Sequence, residues 1–230
     1  MAIAYRSQSA VSWATRTTTT FTAPAGLAND DIIKIVFYYS GYTPPAAPTP
    51  PSGFSLFSTM FDITDGSWHN RQYVYWKRAS GESGNYSFTH SSFASFGYIT
   101  AYSGCLTSGT PFGATSTNSS TSGNSGVGTG ITTTAANSFL LFLSTDMQGT
   151  GGLPPPTGMT ERYDADAYMA DQLIASAGAT GNRTQTNNGG GWGVRMVELL
   201  EQPAGGGATS RPFRRNTIVP WRRSAGGVYF

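Results

Sequence analysis

The chain reads "SGNYSFTHSSFASFGYITAY" over residues 83–102 and, much later, "TGNRTQTNNGGGWGVRMVEL" over residues 180–199. Each stretch opens on Gly-Asn, alternates polar with apolar residues, and restarts on an aromatic-Gly pair, Phe96-Gly97 in one and Trp192-Gly193 in the other. Alternation with period two puts successive side chains on opposite faces of a strand. Two such stretches with the same punctuation predict a repeated β unit.

Working outward, the correspondence continues. "DDIIKIVFYY" at 30–39 is matched by "NSFLLFLSTD" at 137–146, each a β-prone apolar run behind a polar turn. "PPSGFSLFST" at 50–59 is matched by "PPTGMTERYD" at 155–164, and "RQYVYWKRAS" at 71–80 by "AYMADQLIAS" at 167–176. The last of these could be helical by propensity, but its place in the repeat argues for a strand. The offset drifts from 107 at Asp31/Ser138 to 105 at Gly53/Gly158, 97 at Asn85/Asn182 and 96 at Gly97/Gly193, as loop-length differences in a doubled unit would produce.

The expected fold is all-β: a jelly-roll-like β-sandwich built from an internal duplication, with an extended C-terminal arm. The sandwich is expected over residues 1–203, with repeat units at about 17–104 and 127–200, and the arm over 204–230. Two small sandwiches in tandem are the alternative. A single sandwich is favoured because a unit of under 100 residues buries a modest core alone, and shared edge strands would remove exposed edges. The Pro-rich "YTPPAAPTPPSG" at 42–53 is too stiff and donor-poor for a ladder. The Gly- and Ser-rich stretch at 109–130 reads as a linker or a polar surface loop.

Composition narrows the function. Charged residues are only 11% of the 230, while aromatics at 13% argue against disorder. The single Cys105 excludes an intrachain disulfide framework and a cysteine-based zinc site. The opening "MAIAYRSQSA" predicts no signal peptide, and the longest apolar runs fall far short of a membrane helix.

Motifs for catalysis are few. His69 and His90 have neither metal-ligand spacing nor an acid partner in sequence, no Gly-x-Ser-x-Gly elbow occurs, and no phosphate loop is present. The nearest approach to paired acids is Asp62 with Asp65 and Asp164 with Asp166; turn capping accounts for both pairs. Cys105 reads as a small buried thiol. No enzyme activity, cofactor or metal is expected. Tyr38, Tyr39, Tyr42, Trp68, Tyr73, Tyr75 and Trp76 could stack on sugars, although alternate members of a strand would fill the core.

Charge is uneven. The last twenty residues carry five arginines and no acid, so +5 stands against −3 for residues 1–210. There Arg211, Arg214, Arg215, Arg222 and Arg223 are interleaved with Phe213, Trp221, Tyr229 and Phe230. Rings of this size are out of place in a solvated tail and suit anchors on a neighbouring subunit, with the arginines pairing to acidic groups. These nine residues are the expected protein-interaction site.

The segments "TFTAPAGLANDDIIKIVFYY", "PPSGFSLFSTM", "YVYWKRASGESGNYSFTH" and "GYITAYSGC", with the matching second-half segments, resemble a widespread group of bacteriophage and prophage structural proteins. The similarity covers about residues 4–200, and Cys105 departs from it where a β-branched residue is expected. The resemblance implies a head- or tail-associated virion protein without catalytic residues. The expectation is a capsid decoration (cement) protein of a tailed phage, made in the host cytoplasm and located in the virion. Its partners would be the major capsid protein and itself, as a homo-oligomer such as a trimer, with no nucleic acid and no membrane. The alternative is a tail-tip or fibre-associated module, partnered by tail proteins, that binds a host-surface glycan.

Overall fold

The computed structural model describes residues 2–42, 46–58, 62–65, 67–146, 152–165, 167–186 and 189–203. Among them there is no helix and there are thirteen strands, paired antiparallel throughout. The first half contributes β1 (Ala4–Phe21), β2 (Ile32–Gly41), β3 (Ser55–Ser58), β4 (Asp62–Asp65), β5 (Trp68–Arg78) and β6 (Tyr86–Ser103). The second contributes β7 (Phe112–Ser120), β8 (Ser125–Gly128), β9 (Ser138–Asp146), β10 (Thr160–Asp164), β11 (Ala167–Ile174), β12 (Arg183–Thr186) and β13 (Trp192–Leu199).

The strands β1-β6-β2-β5-β3 form one sheet, with β4 added on β5; β7-β13-β9-β11-β10 form a second, and β8-β12 a two-stranded third. The two main sheets have the same strand order, with β1, β6, β2, β5 and β3 standing where β7, β13, β9, β11 and β10 stand. Details repeat as well. Among the described residues, the non-glycine residues with positive φ are Asp30 and Asn137, at 68° and 55°, in the turns that lead into β2 and β9. In both proline-rich loops the fourth residue donates back to the first, Phe54 to Pro51 at 3.3 Å and Met159 to Pro156 at 3.0 Å.

Each half therefore supplies one whole sheet, and no described strand passes from one main sheet to the other. Edge strands are not shared between halves, contrary to the reason given for a single sandwich. The halves are joined by apposition instead. Alternate residues of β2, Ile32, Val36 and Tyr38, face Leu141 and Leu143 of β9 and Met169 of β11 across a common core. Tyr38 Oη donates to the Ser144 carbonyl at 3.0 Å, and Tyr102 Oη to Asp171 Oδ2 at 2.8 Å.

The other face of each sheet is also covered. Ile33, Ile35 and Phe37 pack with Phe21, Phe54 and Phe88 in a second core, beneath a loop that pairs Thr49 with Thr89 and accepts the Tyr75 hydroxyl at Pro48. Leu140 and Phe142 pack with Tyr168, Val194 and Met196 in a third core, with Val127 of β8 against it. Burial on both faces explains why the runs at 30–39 and 137–146 are apolar without alternation.

Two readings change. Residues 109–130 are not a linker: they contain β7 and β8, which pair with β13 and β12. They take the place that β1 takes in the first half, where one strand of 18 residues pairs along β6 through three register shifts. The first strand begins at Ala4, ahead of the repeat unit expected from about residue 17, and "AYMADQLI" is a strand, β11, as its place in the repeat suggests.

Candidate functional site

The nine residues expected to form the attachment site, Arg211, Phe213, Arg214, Arg215, Trp221, Arg222, Arg223, Tyr229 and Phe230, lie outside the described residues. What the structure describes is the ground from which that segment departs. Just after β13 the chain is bound to the connector between β6 and β7. Leu106 N donates to Leu200 O at 3.0 Å, Gln202 N to Gly104 O at 2.8 Å, and Leu200 N to Pro111 O at 2.8 Å. Gln202 Oε1 accepts from both the amide and the hydroxyl of Thr107, at 2.8 and 3.0 Å. Arg78 fixes the connector from its other side by donating to the carbonyls of Leu106 and Gly109.

Beside this clamp lies a concavity of about 320 Å³ bordered by Arg6, Asp30, Asp31, Cys105, Thr107 and Gln202, among others. Asp31 is buried and accepts from Arg6 Nε at 3.1 Å, Arg6 Nη2 at 3.3 Å and the Ala28 amide at 2.8 Å. Its charge is thus committed to holding β1 against the turn before β2. Burial, and then the nearby Asp31 carboxylate, pushes the Cys105 thiol up to about 12, so a reactive thiolate is not available at neutral pH. Sequence reasoning missed Arg6, which sits in a stretch with no recognisable pattern 25 residues before its partner.

The acids considered for catalysis are engaged locally. Asp62 accepts from Arg71 at 2.6 Å and contacts His69 Nδ1 at 3.1 Å, inside the β4–β5 hairpin. Asp164 caps the amides of Gly152 and Leu153. The Asp65 side chain and Asp166 lie outside the described residues. His90 donates through Nδ1 to the Ser91 carbonyl at 2.8 Å and meets the Thr19 hydroxyl at Nε2, and burial lowers its pKa. Among the described residues, no group of three or more His, Cys, Asp or Glu side chains could hold a metal ion, and no helix is long and apolar enough to cross a membrane.

Most of the rings considered for sugar stacking are core. Tyr38, Tyr39, Tyr73 and Tyr75 are buried, Trp76 is half-buried against Phe112, and Tyr42 alone of the described members is well exposed. The Trp68 side chain lies outside the described residues. Among the described residues, then, these rings do not line up as an exposed stacking face on the strands.

A different feature is open to a partner. β1 is an edge strand over its whole length, with half-exposed or exposed side chains from Ala4 to Thr18 and only two charges, Arg6 and Arg16. Trp13 is 36% exposed and rests on Phe96, which in turn stacks on Tyr38. Comparison with family models, curated proteins and solved structures finds no match for this chain.

Proposed function

We propose that the chain is a non-enzymatic structural protein of a tailed-phage virion, and within the virion a capsid decoration protein. In this reading it fastens to the major capsid protein and to its own copies through residues 204–230, and assembles as a homotrimer or other closed oligomer around a local symmetry axis. The observation that carries the reading is the clamp on Leu200 and Gln202, which fixes the root of that segment to the connector between β6 and β7. A tether transmits load only from a rigid base. Here the base is two apposed sheets with one apolar core between them and a further core on the outer side of each.

Charge supports the same reading. Five arginines on the segment suit bidentate pairing with acidic groups of a shell, and Phe213, Trp221, Tyr229 and Phe230 suit pockets between subunits. The resemblance to phage structural proteins over residues 4–200 is what suggests a virion as the setting for such an assembly. Asp31, Asp62 and Asp164 have structural work of the kind a scaffold needs, since they cap turns and hold neighbouring strands.

Deleting residues 211–230 tests the proposal. The truncated chain is expected to keep the circular dichroism spectrum and melting temperature of the whole protein but to be absent from particles purified after incubation with undecorated shells. Full occupancy by the truncated chain would overturn the role given to the arm.

A further inference from the structure

The two halves differ at one place where their geometry otherwise agrees. In the first half, Lys77 lies across Gly53, and its ammonium pairs with Glu82 at 2.7 Å. Glu82 also accepts from the Tyr86 hydroxyl at 2.9 Å and from the Ser80 amide at 3.1 Å. Cation and acid are both used up. In the second half, Gln172 lies across Gly158 as Lys77 does across Gly53. Arg183 stands in the place of Tyr86, one residue after the shared Gly-Asn, and Ala179 stands in the place of Glu82.

The cation of the second half thus lacks the acid that serves the first. Arg183 donates only to neutral oxygens: Gln172 Oε1 at 2.8 and 3.3 Å, Thr180 O at 2.6 Å and Asn182 O at 3.3 Å. Among the described residues no carboxylate pairs with it. These bonds use four of the five guanidinium protons and hold the planar fork in one orientation. The fork opens on a concavity of about 500 Å³ lined by Thr157, Gly158, Gln172, Asn182, Arg183 and Thr184. Asn182 commits its oxygen to the Gly130 amide at 2.9 Å, which leaves its NH₂ as a donor.

We propose that this concavity is a binding site for an acidic saccharide, with the sugar carboxylate on Arg183 and its hydroxyls on Thr157, Thr184, Asn182 and Gln172. A single fixed cation with one N–H still to give matches the charge of a single carboxylate and one of its oxygens. The surrounding hydroxyl and amide groups match a polyhydroxylated frame, and among the described residues no aromatic or large aliphatic side chain lines the hollow to favour a base or an acyl chain. The site is independent of the arm and of the buried rings, so it neither requires nor weakens the decoration role.

A titration of the full chain followed by ¹H–¹⁵N NMR decides it, using a glucuronic acid tetrasaccharide, a neutral glucose tetrasaccharide and an N-acetylated glutamate-containing tetrapeptide. The uronate is expected to shift the Arg183 Nε–H and the amides of Gly158 and Thr184, to bind at least tenfold more tightly than either of the other two, and to weaken with salt. Arg183→Gln and Ala179→Glu are each expected to weaken it at least tenfold, the second by supplying the missing internal acid at an exposed position. Lys77→Gln is expected to leave uronate binding unchanged. The proposal is overturned by no uronate binding, by the neutral sugar or peptide binding as tightly, or by binding that survives both second-half variants.

Discussion

Lys34 shows how far a single residue departs from the pattern around it. It sits in the run Ile32–Gly41 on the face turned to the second sheet, with only 2% of its surface exposed. Its ammonium lies 3.1 Å from Met169 Sδ and 5.6 Å from the centroid of Tyr98. Among the described residues no carboxylate is within ion-pair distance: Asp171, the acid whose charge acts on it, is already held by Arg162 at 2.8 Å and Tyr102 at 2.8 Å. Burial, only partly opposed by Asp171, pulls its pKa down to about 7 from an ordinary 10.5. Between those values the unfolded chain binds a proton that the folded chain does not, so stability rises with pH across that window. The cost is full below pH 7 and fades toward pH 10. Replacing Lys34 with Met keeps most of the volume and removes the charge. Urea titrations are expected to show Lys34→Met more stable than the parent by about 1–4 kcal/mol at pH 6, with the gain shrinking steadily toward pH 9.5. A gain that did not change with pH would mean that the lysine is not the titrating group.

At the scale of elements, β6 explains the Phe96-Gly97 pair. Gly97 lies between Val11 of β1 and Phe37 of β2 in the register, and the ring of Phe21 covers it. A Cβ there would stand 2.4 Å from the Val36 carbonyl oxygen and 3.0 Å from Phe21 Cζ, and the first of these is backbone that cannot swing away. Gly97→Ala is expected to lower stability by about 3 kcal/mol, read as a shifted denaturation midpoint with an unchanged slope. Such close approach is legible in sequence only as punctuation, a glycine in an otherwise bulky strand. The runs feeding β2, β9 and β13 are legible because long apolar stretches are buried on both faces, β5 and β6 because they are rich in aromatic residues, and β11 only by its place in the repeat. β1 before residue 17 and β7 with β8 are not. "AYRSQSAVSWATR" and "FGATSTNSS" have no run of apolar residues and leave much of their surface to solvent, so it is the partner strands, not their own propensity, that make them strands. The clamp at Gln202 was hidden for a related reason. Its partners are Gly104 and Thr107, nearly a hundred residues away, and nothing local marks them.

For the molecule as a whole, the question is whether two sheets of the same strand order, each made by one half, act as two bodies or one. The inner face of the first carries Ile32, Val36, Tyr38, Val74, Phe96, Tyr98 and Tyr102, and the second answers with Leu141, Leu143, Met169, Val197 and Leu199. At about 1.5–3 kcal/mol for each large apolar side chain returned to water, parting the sheets would cost well over 10 kcal/mol, comparable with the roughly 5–15 kcal/mol that separates a whole folded domain from its unfolded chain. The polar groups argue the same way. The Tyr38 and Tyr102 hydroxyls of the first sheet find their acceptors on Ser144 and Asp171 of the second, and Tyr5 of β1 lies against the Arg162 guanidinium at 4.4 Å. Neither half is then expected to stay folded once the other has opened. Native-state hydrogen exchange in rising urea should place the amides of Ile35 in β2 and Phe142 in β9 on a common opening free energy equal to the global one. If β9 exchanged through an opening several kcal/mol below that of β2, the halves would be separable folding units and the inner core a mere contact. A common value would mean that a segment rooted on β13 pulls against both sheets at once.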